Sequence, residues 1–196
     1  LYTQLSATHI QELQAILGQE VITLDPEQLN LYSKDYTEDL SFLPELVVKA
    51  TSTQMVSQLA KYCHEHKIAL TCRGAGTGLS GACLPIEGGI VLSLEKMNKI
   101  LAIDSVNHQA IVEPGVINDH LQQAVQELGL FYPPDPASKG SCTLGGNIAH
   151  SSGGPRCVKY GTTKDYVLNL EVVLADGSII DTGANVLKNS TGYHLT

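Results

Sequence analysis

Four glycines fall within the eight residues from Gly74 to Gly81, directly after the apolar run Ala69-Leu-Thr-Cys72. No other feature restricts the fold of this chain as much. The run reads as a strand that delivers a loop whose backbone N–H groups are free of side chains, the raw material of an anion-binding nest. Gly76-Thr-Gly-Leu-Ser-Gly81 matches the dinucleotide fingerprint G-x-G-x-x-G. That fingerprint works only where a helix opens within the glycines and a second parallel strand follows about 30 residues into the unit. Here Pro85 and Gly88-Gly89 interrupt the chain soon after Gly81, and the next apolar run, Ile90-Val-Leu-Ser-Leu94, comes too early for a crossover helix. A Rossmann unit that binds NAD is disfavoured. Taken alone, the segment is either an anion cradle or an ordinary glycine-rich turn.

The surroundings place this loop at the end of a β-α-β passage. Leu46-Val-Val-Lys-Ala50 reads as a strand, Ser52 as the cap of a helix over 53–66, and 68–72 as the returning strand. The inward face of that helix is expected to carry Met55, Val56, Leu59, Ala60 and Cys63. Ligands of such arrangements collect at the carboxyl ends of the strands. Upstream, Ser6 caps a helix over 7–17 with Ile10, Leu13, Ile16 and Leu17 on one stripe, and Asp25-Pro26 starts a short helix to about Tyr32. Downstream the texture becomes antiparallel. Runs 100–104 and 109–114 form a hairpin, Asn118 caps a helix over 119–128 with Leu121, Ala124, Val125 and Leu128 inward, and 168–175 pairs with 178–182 across an Asp176-Gly177 turn. Between them, 132–161 holds prolines at 133, 134, 136 and 155 and glycines at 140, 145, 146, 153, 154 and 161, and it reads as a long structureless segment of functional origin.

Composition bounds the partners. The chain of 196 residues is 43% hydrophobic, enough for one domain or two small lobes with a real core. Its 12 basic and 20 acidic residues, net charge −8, and lack of any Lys/Arg run argue against nucleic acid and against an anionic membrane surface. Five scattered cysteines, Cys63, Cys72, Cys83, Cys142 and Cys157, form no C-x-x-C pair, so neither zinc nor a disulfide framework is implied, and no metal is expected. A reduced, cytoplasmic setting fits, or a peripheral position at the inner membrane through a partner. No apolar run approaches the ~20 residues of a membrane span, and no signal-peptide pattern opens the chain at Leu1.

Four motifs, in order and at consistent spacing, carry a family resemblance: Arg73-Gly-Ala-Gly-Thr-Gly-Leu-Ser-Gly81, Pro134-Asp-Pro-Ala-Ser138, Thr143-Leu-Gly-Gly-Asn147 and Tyr160-Gly161. From Leu46 onward the chain resembles the FAD-binding domain of the p-cresol methylhydroxylase/vanillyl-alcohol oxidase superfamily, in its D-lactate dehydrogenase and glycolate oxidase D-subunit branch. The resemblance implies an α+β, two-lobed fold: residues 1–98 a first lobe with a small β-α-β sheet, residues 99–196 a second, mainly antiparallel lobe with flanking helices, incomplete at its C-terminus.

The same resemblance implies a set of cofactor-binding residues. Gly74, Ala75, Gly76, Thr77, Gly78, Leu79 and Ser80 would wrap the FAD pyrophosphate, with Arg73 either on a phosphate or in an ion pair that holds the loop. Pro134, Asp135 and Ser138 would fix the loop after the second-lobe helix near the cofactor, although Asp135 between prolines also suits a turn that satisfies its own backbone. Thr143, Leu144, Gly145, Gly146 and Asn147 would bring backbone and amide groups to flavin and phosphates. Gly153 and Gly154 would let the main chain pass close to the isoalloxazine, and Tyr160 and Gly161 would close that side. Fixed N–H dipoles suit two phosphates, and a planar ring suits walls without bulk.

Superfamily members with covalent flavin resemble R-x-G-G-H in this loop, where the present chain has Thr77, so the expected FAD is non-covalent. The family continues into a cap domain that supplies substrate-binding arginines and a histidine base, so the catalytic residues are unknown here and a cap domain or partner subunit is expected. The implied function is oxidation of a small 2-hydroxy acid to a 2-oxo acid with hydride transfer to flavin and an electron acceptor other than NAD. Two alternatives stand beside it: an FAD-dependent reductase related to UDP-N-acetylenolpyruvoylglucosamine reductase, and a non-catalytic FAD-binding fragment. His64, His66, His108 and His120 read as solvated. His150 lies in the glycine-rich segment and has a possible flavin role, while Arg156 and Lys159 either balance cofactor charge or are solvated.

Overall fold

The computed structural model describes residues 2–188 and 190–196. Its centre is a four-stranded sheet of β1 (Ile22–Thr23), β2 (Leu46–Lys49), β3 (Leu70–Arg73) and β4 (Ile90–Ser93) in the order β1-β2-β4-β3. The last three strands in that order run parallel and β1 is antiparallel. Alternation along β2 and β4 sends Leu46, Val48, Ile90 and Leu92 to one face, where they pack with α1 (Ala7–Leu17) and α3 (Thr53–His66), and sends Val47 and Val91 to the other, against Leu29 and Tyr32 at α2 (Pro26–Leu31). With both faces covered, every residue of β4 is buried, as expected of a central parallel strand.

The helices begin where the sequence signals place them. Ser6 accepts a hydrogen bond from the His9 amide, and the His9 ring accepts one from the Ser6 amide, a reciprocal cap for α1. Ser52 accepts from the Met55 amide at the start of α3, and Asp25 from the Glu27 amide at the start of α2. Leu13 and Leu17 of α1 are buried, but Ile16 is exposed. β3 and β4 are neighbours joined by residues 74–89, which contain no helix. The glycine loop thus replaces a crossover helix, which confirms the exclusion of a Rossmann unit.

Beyond β4, β5 (Ile100–Asp104) and β6 (Gln109–Val112) form the expected hairpin, followed by α4 (Asn118–Gln126). α4 starts differently from expectation. Its cap position is Ile117, without a side-chain hydrogen bond. Asn118 is the first helical residue, fully buried, its amide donating to the Pro134 carbonyl and accepting from Asn147. Leu128 lies past the helix end and is exposed, while Leu121 and Val125 form the inward face with Val116 and Leu144.

The segment 132–161 is not structureless. It folds into α5 (Leu144–His150), capped by Thr143 Oγ1 on the Gly146 amide, and α6 (Cys157–Tyr160). The final hairpin, β7 (Glu171–Val173) with β8 (Ile179–Asp181), turns through three residues: Leu174 donates to Ser178, Gly177 donates to Leu174, and Gly177 has φ 85°. This is the turn-plus-bulge loop, not the two-residue turn that Asp-Gly suggests. The antiparallel part consists of two separate two-stranded hairpins among the described residues.

Two joints connect this part to the sheet. The Gly115 amide donates to the Met97 carbonyl at 2.7 Å, and a side chain at Gly115 would collide with the Leu94 carbonyl. Residues 114–118 then line up antiparallel to 142–145, through Asn118 to Cys142, Leu144 to Val116 and Gly145 to Pro114 hydrogen bonds and an Ile117–Thr143 bridge.

Candidate functional site

The strand register brings Lys49, Ser93 and Arg73 side by side at the carboxyl ends of β2, β4 and β3. Over this edge opens a cleft of about 640 Å³. Its sheet side is Lys49, Arg73, Gly74 and Ala75; its far side is Gly115, Ile117, His120 and Thr143. Glu95 and Asn98 lie between, and α2 closes the end with Gln28, Leu31 and Tyr32.

Two sequence motifs meet here. A Cβ on Gly74 would sit 2.5 Å from Thr143 Oγ1 and 3.9 Å from Gly146 Cα, so only glycine lets the loop after β3 touch the first turn of α5. The amides of that turn are already engaged, Leu144 and Gly145 on the Val116 and Pro114 carbonyls and Gly146 on Thr143 Oγ1, so the backbone donors this region can offer a ligand come from the glycine loop after β3.

Arg73 is the buried charge of the site, 8% exposed. Its guanidinium lies beneath Gly76, whose φ of 68° and missing side chain are both needed there. Nη1 donates to Cys83 Sγ at 3.4 Å, and the guanidinium carbon is 5.6 Å from the centre of the Tyr32 ring. Among the described residues, no carboxylate is within ion-pair distance of Arg73, so the loop-holding ion pair is not what the structure contains. Gly78 has open space where its Cβ would be, and its carbonyl accepts from the Tyr36 amide. Thr77 is half-buried, and Ala75, Leu79 and Ser80 are exposed.

Lys49, Glu95 and Tyr32 form the other charged group. Lys49 Nζ is 2.9 Å from Glu95 Oε1, and the Tyr32 hydroxyl donates to the same carboxylate at 3.1–3.2 Å. Hydrogen bonding to Tyr32 and Glu95 raises the Lys49 pKa above its ordinary value. Burial pushes the Glu95 carboxyl up, but the Lys49 ammonium, the Tyr32 hydroxyl and Ser93 outweigh it and leave the group below its ordinary range.

The remaining motif residues lie outside the cleft lining. The Pro134 carbonyl accepts from Asn118 and Gln122. Asp135 does not fold onto its own backbone: its carboxylate pairs with Lys139 at 3.0 Å and Arg156 at 3.3 Å. Ser138 anchors a turn, its carbonyl accepting from the Ser141 and Cys142 amides. Leu144 and Asn147 are buried in the joint around α4, and Gly145 packs on Pro114. Gly154, with φ 140°, abuts the Asp135 carbonyl, and Gly153 lies against Cys157. Gly161, φ 82°, faces the Asp165 carboxylate, and the Tyr160 carbonyl accepts from the Tyr166 hydroxyl. Arg156 is also over the Phe131 ring, Lys159 over Tyr160, and His150 is exposed.

Sequence reasoning missed Tyr32, Lys49, Glu95 and Asn98, and treated His120 as merely solvated. The available signal for Lys49 and Glu95 was their position at or just past strand ends. For Tyr32 there was none, because the fold alone brings α2 across the sheet.

The family model for "FAD binding domain" matches residues 44–183. Glycolate oxidase subunit GlcD of Bacillus subtilis is 48% identical over 85% of the chain and 35% of its own length. D-lactate dehydrogenase of Anaerostipes hadrus is 42% identical over 99% of the chain and 41% of its own. Among solved structures, p-cresol methylhydroxylase with substrate bound superposes with a TM-score of 0.78 at 30% identity, covering 97% of the chain and 39% of that protein. The chain therefore spans about a third to two fifths of the length of these relatives.

Proposed function

The chain belongs to the FAD binding domain family, and from that premise we propose that it is the cofactor-holding part of a flavin-dependent dehydrogenase of 2-hydroxy acids. FAD is the cofactor of the family, and the residues present suit it on independent grounds. A buried guanidinium, with no carboxylate at ion-pair distance among the described residues, lies beneath the glycine loop, where Gly74 touches Thr143. This observation carries the proposal, since a diphosphate supplies the anion that such a site lacks.

In this reading the loop 74–80 holds the phosphates with Arg73 beneath them, and Thr143 to Asn147, whose amides are engaged within the protein, form the wall beside them. Thr77 makes the binding non-covalent. We extend the assignment to Pro134, Asp135, Ser138, Gly153, Gly154, Tyr160 and Gly161, which lie outside the cleft lining and would meet parts of the cofactor that reach beyond it. The two lobes, 1–98 and 99–196, meet at the cleft, whose lining includes Asn98. When bound, flavin would supply the electron sink for oxidation of a substrate CH–OH to C=O, taking the α-hydrogen with two electrons, while the hydroxyl proton would go to a base. That base and the substrate-binding groups belong to a cap domain or partner subunit, and an acceptor other than NAD reoxidises the flavin. Among the described residues, no helix is long and apolar enough to cross a membrane.

The substrate class is taken from relatives named for glycolate, D-lactate and D-2-hydroxyglutarate. Anaerobic mixing of the flavin-loaded natural protein with each acid tests it. Bleaching of the flavin by one of them, and not by NADPH, is the expected result. Bleaching by NADPH alone replaces the dehydrogenase with a reductase.

A further inference from the structure

α2 and the residue that caps its C-terminus, Tyr32, precede the family match, which begins at residue 44, yet they line the cleft. We propose that Tyr32 is a positioning residue for cofactor phosphate binding: it holds Arg73 under the glycine loop and keeps Glu95 from neutralising it. The proposal rests on the FAD-binding reading above.

Tyr32 is 6% exposed and has two cations over its ring: the Arg73 guanidinium 5.6 Å and the Lys49 ammonium 5.5 Å from the ring centre. An aromatic face attracts a cation without cancelling its charge. A carboxylate at that place would form an ion pair and remove the positive potential that a phosphate requires. The nearby carboxylate of the cleft, Glu95, is instead bound by the Tyr32 hydroxyl and Lys49. The ring and the hydroxyl therefore act in the same direction: one steadies Arg73, the other occupies Glu95. The other contacts described for Arg73 are Cys83 Sγ, a weak acceptor that itself faces the Asp35 carboxylate at 3.8 Å, and the steric limit at Gly76, so the ring is a neutral partner of the charge.

The experiment uses the natural protein stripped of flavin and measures dissociation constants for FAD, ADP and riboflavin by flavin fluorescence or calorimetry, with thermal unfolding alongside. Tyr32→Leu is expected to weaken FAD and ADP roughly tenfold, the size of a partly desolvated cation–π contact, with riboflavin unaffected. Tyr32→Phe, which retains the ring, should recover most of the loss. In an Arg73→Gln background, Tyr32→Leu should add nothing, because both changes remove the same interaction. Unchanged FAD and ADP affinity in Tyr32→Leu overturns the inference, as does equal loss for riboflavin, or full additivity with Arg73→Gln. If the unsubstituted protein takes up neither FAD nor ADP, the proposed function itself fails, which is a separate outcome.

Discussion

Gly76 and Gly78 are two residues apart and have different reasons for being glycine. Gly76 needs its positive φ and would drive a side chain into Arg73, whereas at Gly78 no described atom beyond its own chain neighbours lies within 4 Å of a Cβ. Gly76→Val should therefore destabilise the fold, by roughly 1–3 kcal/mol for a strained backbone position, and lose flavin as a consequence. Gly78→Val should melt like the parent protein and still lose flavin, because the space is reserved for a ligand. Paired thermal melts and flavin contents separate the two. The glycine spacing was legible in the sequence; which glycines serve the fold and which serve the ligand was not, since that depends on where the Arg73 side chain turns back. Glu95 gives a pH test. Its folded pKa is below the ordinary 4.5, so its stabilising contribution is present above that value and is lost as pH falls through the folded one. Glu95→Gln should lower stability near neutrality and flatten part of the acid limb of a stability–pH profile, so that the variant and parent profiles converge at low pH, by a small amount because the side chain is 40% exposed.

α5 illustrates how an element can be hidden. Its sequence, Leu144-Gly-Gly-Asn-Ile-Ala-His150, contains two glycines, each costing about 1 kcal/mol against alanine in a helix. Propensity alone reads the segment as loop. The helix forms because Thr143 caps it and because Asn147 is tied through Asn118 to the Pro134 carbonyl, all in the interior. Asn118→Leu should leave the Asn147 amide and one acceptor site on Pro134 less satisfied, at about 1–3 kcal/mol per orphaned group, and lower the urea midpoint accordingly. A midpoint equal to that of the parent would show that this amide chain does not hold α5 in place. By contrast α1 and α3 were readable to the residue, since Ser6, Gly18 and Ser52 are local signals. Ile16 departed from its stripe because that part of the helix face turns to solvent, and Leu128 because α4 ends before it.

The whole chain is organised around one cleft whose walls come from sequence positions far apart: α2, the ends of three parallel strands, the turn at Gly115 and the cap of α5. The order of β2 to β8 and of α1 to α4, and the motif set, were accessible from sequence, because strands and glycine loops are local, whereas β1, α5 and α6 were not. The separation into two small hairpins and the pairing of 114–118 with 142–145 were not, since both depend on long-range register. A ligand that bridges these walls should stabilise the native state by mass action, about 2.7 kcal/mol at a hundredfold excess over Kd, visible as a rise in Tm with FAD and not with riboflavin.

The most direct measurement is the absorption spectrum of the natural protein, incubated with FAD and freed of excess, before and after acid precipitation. Flavin bands that copurify in stoichiometric amount and pass entirely into the supernatant are the predicted result. Protein that retains no flavin would contradict the account at its centre, and flavin that stays in the pellet would contradict non-covalent binding at Thr77.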